Sequence, residues 1–226
     1  MGLIKYDMSP RIEAFSISDE KKLPYDVLQM HQVHGDKIAV INDNQVTHEE
    51  LYGFDAIITN LKNFAIGVRT ADCVPILLYD KKQDVIAAIH SGWKGTVLKI
   101  SKKVIEKMKK DFLTVPTDVC AVIGPSISMD FYQVGVNVYN EFKYAGFPMS
   151  QISYKNGDTI EGILHSGYHI DLIKANEWLL LESGLLCENI KKARICTFQN
   201  HDEWNSARWT LNNKCPRNIN SIKILK

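Results

Sequence analysis

Apolar residues along this chain gather mostly in short runs of strand length, separated by polar turns, and only a few stretches carry them at helical spacing. Ile12–Ile17 alternates apolar and polar positions like a strand, and residues 18–24 read as a loop. Residues 27–30 form a buried-strand segment leading into His31-Gln32-Val33-His34-Gly35, and Ile38–Ile41 and residues 53–60 supply two further strands. Two longer apolar runs, 65–79 and 85–90, flank the charged turn Asp80-Lys81-Lys82-Gln83-Asp84, a pattern that predicts a hairpin. Val119–Ile123 is another buried strand, closed by the turn Gly124-Pro125-Ser126-Ile127-Ser128. Residues 193–198 and 218–226 read as the last two strands.

Helical spacing begins after Gly95, where Val97, Ile100, Val104, Met108 and Phe112 recur at three- and four-residue steps with lysines mostly between them. That lysine-rich flank reads as a solvated face. A shorter helix is expected over 136–142. A longer one is expected over 171–183, with Leu172, Ala175, Trp178 and Leu179 on one face and Gly184 as its stop. Between them lies a polar region around 155–158. Helices inserted among groups of strands indicate an α+β fold in one domain, residues 1–226, since no Pro/Gly/Ser-rich linker divides the chain.

Composition narrows the function. With 45% hydrophobic residues the chain can build a sizeable core. Its 27 basic and 26 acidic residues balance to +1, which gives no electrostatic footprint for nucleic acid and suits a small neutral or anionic substrate. No apolar leader or membrane span is present, so a cytoplasmic protein is expected. Cys73, Cys120, Cys187, Cys196 and Cys215 are odd in number and irregularly spaced, which fits a reducing compartment.

The chemistry concentrates in residues 65–95. The hairpin carries Cys73 in its first run and His90 at the end of its second, so the fold-back can bring the two together at one end of a sheet. His31 and His34 offer a third ligand. A cysteine and two histidines are a common protein contribution to a catalytic zinc, with a fourth position left for water or substrate. If residues 65–79 run as one strand, alternation puts Arg69 and Cys73 on one face and Asp72 on the other. Arg69, Lys94 and Arg208 are the candidates for binding substrate, the two guanidinium forks being suited to a bidentate oxyanion. Trp93 can stack on a base or simply pack. Residues 199–208 read as a polar, aromatic loop able to close over a site.

Taken together, H-Q-V-H-G at 31–35, D-A-I-I-T at 55–59, R-T-A-D-C-V-P-I-L-L at 69–78, H-S-G-W-K-G at 90–95, I-G-P-S-I at 123–127 and the set Cys196, Thr197, Ser206 and Arg208 resemble the bacterial laccase-domain proteins. Members of that family carry names such as polyphenol oxidase, peptidoglycan editing factor and purine nucleoside phosphorylase. The resemblance implies a four-layer αββα sandwich with two mixed sheets and a zinc ion (Zn2+) held by His34, Cys73 and His90, which would be the catalytic residues. It also implies phosphorolysis of adenosine, inosine and methylthioadenosine, and deamination of adenosine; a monomer or small homo-oligomer is expected. Three departures from the family pattern stand out: a short segment before H-Q-V-H-G, Lys94 where arginine is common, and Trp204-Asn205 in place of two phenylalanines. A multicopper oxidase builds its copper centres largely from histidines in H-x-H pairs, whereas this chain has seven histidines and no such pair.

An open zinc activates water near neutral pH, which suits deamination at C6 of adenine. The chain lacks the P-C-x-x-C half of the known zinc deaminase signature, although His201-Asp202-Glu203 has the spacing of the other half. Two other readings compete. One is a cysteine hydrolase with Cys73 as nucleophile and His90 as base, acting on an amide such as a peptidoglycan precursor. The other is a non-enzymatic zinc-stabilised interaction protein, in which a fourth protein ligand closes the site.

Overall fold

The computed structural model describes residues 1–155, 167–211 and 215–226. Part of the polar region expected around 155–158, and His165, lie outside them. In chain order the elements are β1 (Leu3–Lys5), β2 (Ile12–Ile17), β3 (Ile38–Ile41), β4 (Ala56–Thr59), β5 (Ala65–Thr70), β6 (Val74–Asp80), β7 (Val85–Ser91), α1 (Trp93–Val97), α2 (Ile100–Phe112) and β8 (Val119–Ile123). They continue with β9 (Gln133–Val134), α3 (Val136–Tyr144), α4 (Met149–Ile152), β10 (Ser153–Lys155), β11 (Tyr168–Ile170), α5 (Leu172–Glu182), β12 (Ile190–Lys192), α6 (Ala207–Thr210) and β13 (Asn218–Ile224).

The fold is α+β. A six-stranded sheet in the order β12-β8-β6-β7-β4-β3 mixes parallel pairs at its two edges with antiparallel pairs at its centre. A four-stranded sheet, β1-β2-β13-β5, pairs antiparallel throughout, and Leu28 adds a parallel bridge to Ile66 at its β5 edge. A small third sheet, β10-β11-β9, sits among the short helices.

Alternation along the central strands explains the layering. Ile76, Leu78, Ala87 and Ile89 face one way and pack against Ile100, Val104 and Met108 of α2 and Leu172, Ala175 and Leu179 of α5. Leu77, Tyr79, Ile86 and Ala88 face the other way, onto Ala14, Ile66, Val68 and Ile222 of the four-stranded sheet. The six-stranded sheet is thus buried on both faces, which is why its strands read as continuous apolar runs. The outer layer beyond the four-stranded sheet is thin: Leu23 and Tyr25 cover Phe15, Ile17 and Ile219.

The structure departs from the sequence reading in four places. The apolar run 65–79 is two strands in two sheets, β5 and β6, and the chain crosses between them at 71–73 with Asp72 at φ 83°. Continuous hydrophobicity could not reveal that crossing, because both strands are buried. Arg69 and Cys73 therefore share no strand face. The helix after Gly95 breaks into α1 and α2 at Lys99, which is left-handed at φ 61°. Residues 27–30 form no strand: Leu28 makes an isolated bridge to Ile66, and Leu28 and Met30 pack into the core between the sheets. The strand expected over 193–198 ends at Lys192, and Arg194 at φ 55° turns the chain, leaving a single bridge from Cys196 to Ser126.

A buried polar knot ties the helices to the site end of the sheet. The Asn176 amide on α5 donates to Thr96 Oγ1 (3.1 Å) and the Leu172 carbonyl (2.9 Å), while its Oδ1 accepts from Ser91 Oγ (2.8 Å). Thr96 Oγ1 in turn donates to the Gly92 carbonyl at 2.9 Å. Asn176→Ala leaves the Ser91 and Thr96 hydroxyls buried with fewer partners, and we expect it to cost about 1–3 kcal/mol in urea denaturation. A loss within experimental error would show that the knot does not anchor α5.

Candidate metal centre

The site is built where three chain segments meet. The antiparallel register of β6 and β7 pairs Pro75 with His90 and Val74 with Ser91, so continuing it by one residue sets Cys73 beside Gly92. A Cβ placed on Gly92 would lie 2.9 Å from His34 Cδ2 and 3.1 Å from Cys73 Sγ. Glycine is therefore what lets the sulfur and the His34 ring approach this turn. His34 comes from the loop before β3 and adopts a left-handed backbone, φ 63°.

Asp55, immediately before β4, holds that loop. Its carboxylate accepts the backbone N–H groups of Val33 (3.3 Å), His34 (3.0 Å) and Gly35 (2.7 Å), and the His90 Nδ1–H at 2.7 Å. Its own carbonyl accepts the His90 N–H at 2.8 Å. Asp55 is fully buried, and burial works against its charge, but the His90 partner and the loop N–H groups outweigh this and hold its pKa below the usual carboxylate range. With Nδ1 donating to Asp55, Nε2 is the His90 nitrogen left for a ligand. Gln32 adds a second tether: its amide donates to the Arg69 carbonyl (2.7 Å) and its oxygen accepts the Arg69 N–H (2.8 Å), joining the loop to β5.

These tethers converge on His34, Cys73 and His90, whose ligand atoms all lie within 4.8 Å of one another. The two imidazole rings meet edge to face, 4.8 Å between centroids. Burial opposes a thiolate at Cys73, but the His90 charge and hydrogen bonds from both imidazoles bring its pKa down to about 6. Burial likewise opposes charge on His90, and the Cys73 thiolate and Asp55 raise its pKa to about 9. One soft sulfur and two imidazole nitrogens suit zinc, and among the described residues the group contains no fourth Cys, His, Asp or Glu ligand. His34 is exposed and Cys73 half-buried, so the open side faces solvent.

Two cavities flank the trio. One, of about 340 Å³, is lined by His34, Cys73 and His90 together with His31, Arg69 and Arg217. It adjoins a cavity of about 890 Å³ that shares Met30, His31 and Arg69 with it and includes Tyr52, which stacks on His31 at 4.5 Å. The second, about 320 Å³, shares His34, Ala71, Cys73 and Ala207 with the first and is lined also by Tyr132 and Arg208. Arg69 thus lines the first of these cavities and Arg208 the second. Lys94 is exposed, lines neither flanking cavity, and extends over the ring of Trp93, which packs on the helical side of the core.

Residues 199–208 lie along the second cavity through Ala207 and Arg208. Asp72 fixes them: its carboxylate accepts from Thr197 Oγ1 (2.6 Å) and from the Arg208 N–H (2.7 Å). Asp55, Gln32, Asp72 and Arg217 are the residues that sequence reasoning left without a role. Asp55 and Asp72 sit inside the motifs D-A-I-I-T and A-D-C, so their positions were marked, but nothing in a linear motif names their partners.

An α+β fold carrying an open cysteine–histidine cluster where its four-stranded and six-stranded sheets meet is the class that fold and site define. Residues 14–224 match the family described as multi-copper polyphenol oxidoreductase laccase, and the chain belongs to that family. A relative from Bacteroides thetaiotaomicron named purine nucleoside phosphorylase is 40% identical over 211 residues, covering 91% of this chain and 76% of that protein. A protein named adenosine deaminase RL5, from an unknown prokaryotic organism, is 37% identical over 189 residues, 81% of this chain and 70% of its own. The solved structure of Bacillus licheniformis hypothetical protein YfiH superposes with a TM-score of 0.79 at 26% identity, covering 88% of this chain and 74% of that one.

Two outcomes are expected of the site. Asp55→Asn removes the charge that orients His90 and gathers the loop, so zinc affinity should fall roughly tenfold to hundredfold in competition with a chelator. An unchanged affinity would mean the trio is held by packing alone. Zinc must also displace the proton that His90 holds below about pH 9, while Cys73 is already ionised above about pH 6. Zinc binding at pH 7 should therefore release about one proton, read from calorimetry in buffers of different ionisation enthalpy, and affinity should fall as the pH is lowered, more steeply below pH 6.

Proposed function

We propose that this protein is a zinc-dependent purine nucleoside phosphorylase, acting on adenosine, inosine and methylthioadenosine, that also deaminates adenosine. The observation that carries the reading is the position of the open His34–Cys73–His90 cluster at the wall shared by two cavities, one of which continues into a larger cleft. The names of relatives that align with most of this chain, purine nucleoside phosphorylase and adenosine deaminase, support purine nucleosides as the substrate class. Zinc held by the three residues would supply a Lewis acid able to activate water or polarise a bound group at neutral pH.

The chain's own groups do the rest. Asp55 keeps the His90 imidazole in the tautomer that presents Nε2, and the three loop N–H groups keep His34 in a backbone conformation it would not hold unaided. Arg69 brings a guanidinium to the edge of the site, on a strand fixed by Gln32. The stacked His31–Tyr52 pair gives the adjoining cleft an aromatic wall of the kind a purine packs against. The five cysteines are all unpaired, which fits the reducing cytoplasm, and among the described residues no helix is long and apolar enough to cross a membrane.

A specific observation keeps a second reading in play. Cys73, His90 and Asp55 stand in the order of a thiolate, its base and an orienting carboxylate, the arrangement of a cysteine hydrolase acting on an amide such as a peptidoglycan precursor. Metal dependence separates the two. Adenosine incubated with phosphate should yield adenine, and without phosphate inosine, resolved by chromatography. Both products should disappear in Cys73→Ala and after chelation, and return when zinc is restored to the parent protein. Amide hydrolysis that survives chelation, with no nucleoside product, would replace the phosphorylase with the hydrolase.

A further inference from the structure

The cavity of about 320 Å³ at the trio has few polar groups to spare. Ala71, Ile127, Ala207 and Leu211 give it apolar walls. Both carboxylate oxygens of Asp72 are engaged, one by Thr197 Oγ1 and one by the Arg208 N–H. Arg208 Nη1 donates to the Phe131 and Gln133 carbonyls (3.4 and 3.2 Å). Tyr132, which lies between those two residues, is what remains. Among the described residues its hydroxyl has no hydrogen-bond partner.

The fold holds this phenol in place. The Arg208 guanidinium lies over the ring, 5.4 Å from its centroid, and the ring packs against the helical side of the core. The Tyr132 N–H donates to the Met129 carbonyl (3.1 Å), and the Tyr132 carbonyl accepts from the Ile170 N–H (3.4 Å). The hydroxyl also lies in the field of Cys73: burial first, and then the thiolate, raise its pKa, so it keeps its proton at neutral pH.

Such a cavity suits a small neutral guest. A phosphate anion would meet the Asp72 carboxylate, and Arg208, the one lining cation among the described residues apart from the trio itself, is already turned to two carbonyls. An ordered water needs about two to four polar partners. Here it finds the open side of the trio, where His34 and Cys73 form the wall, and the Tyr132 hydroxyl.

We propose that Tyr132 is a catalytic residue of the hydrolytic reaction, its hydroxyl holding and aiming the water that attacks C6 of adenosine. The water oxygen bonds to C6, and the C6–N6 bond breaks with its electron pair leaving on nitrogen. One water proton departs with ammonia and the other ends on N1 of inosine. Tyr132 loses no proton overall, since one O–H and two lone pairs let it donate to that oxygen from start to finish. The assignment rests on the deaminase part of the proposed function. Phosphorolysis, whose second reactant is phosphate, does not call on it.

The test is Tyr132→Phe, which removes the hydroxyl and keeps the ring beneath Arg208. Thermal melting of the zinc-loaded protein checks the fold; Tyr132→Met, equally without a hydroxyl, serves should the first variant not fold. The kcat for inosine formation from adenosine without phosphate should fall about tenfold to hundredfold. Hypoxanthine formation from inosine with phosphate should stay within about twofold of the parent. Zinc affinity in competition with a chelator should not change, because Tyr132 is outside the ligand group. A readout independent of turnover is the visible absorption of the cobalt(II)-loaded protein, whose pH midpoint reports ionisation of water at the open position. That midpoint should rise by roughly one pH unit when the hydrogen-bond donor is lost. Unchanged deamination, equal losses in both reactions, or an unmoved cobalt midpoint in the folded variant overturns the assignment. A parent that forms no inosine would remove the deaminase reading; a cobalt midpoint that still moves would then support the hydrogen bond to water, so the two failures are told apart.

Discussion

The site depends on one buried carboxylate. Asp55 has no exposed surface, and an isolated charge there would be strongly disfavoured. It is tolerated because each oxygen is engaged, by three consecutive N–H groups of the 33–35 loop and by the His90 ring. That single group brings a loop, the entry to β4 and the end of β7 to one point. Two of the three clustered donors, His34 and His90, hang directly from it. Removing one partner of such an arrangement costs more than any surface contact could restore, because a buried charge would be left unmatched.

The third ligand is placed by a different constraint. Cys73 sits where the chain leaves the four-stranded sheet for the six-stranded one, just after Asp72 in a left-handed conformation. Thr197 and the start of α6 hold Asp72, and Gly92 leaves room for the sulfur against the His34 ring. The crossover that interrupts the apolar run 65–79 is therefore what aims the thiolate outward. A straight continuation of β5 would have buried it as an ordinary strand residue.

Around this point the protein divides its surroundings by charge. Arginines occupy the small cavity beside the trio, carboxylates and stacked aromatic rings occupy the larger one, and Arg208 lines a third. The laccase description attached to the family fits the donor set poorly: one sulfur and two imidazoles are gathered here, with no second histidine cluster among the described residues.

The sequence by itself determined the α+β class, most of the strands, the β6–β7 hairpin and the ligand types, because local periodicity and ligand chemistry are written in neighbouring residues. It also marked Cys73 and His90 as partners, since a hairpin of known turn fixes which residues meet. It left His31 and His34 undecided until the family pattern chose between them, and it gave no role to Asp55, Gln32 or Asp72. Those roles arise from pairings across 20 to 136 residues, between side chains and backbone groups whose meeting depends on sheet order. The same limit hid the split of residues 65–79, where burial on both sides makes two strands of different sheets look like one. Only the tertiary structure decided which arginines share a cavity with the metal ligands, because that follows from the pairing of β13 with β5 and not from proximity in the chain.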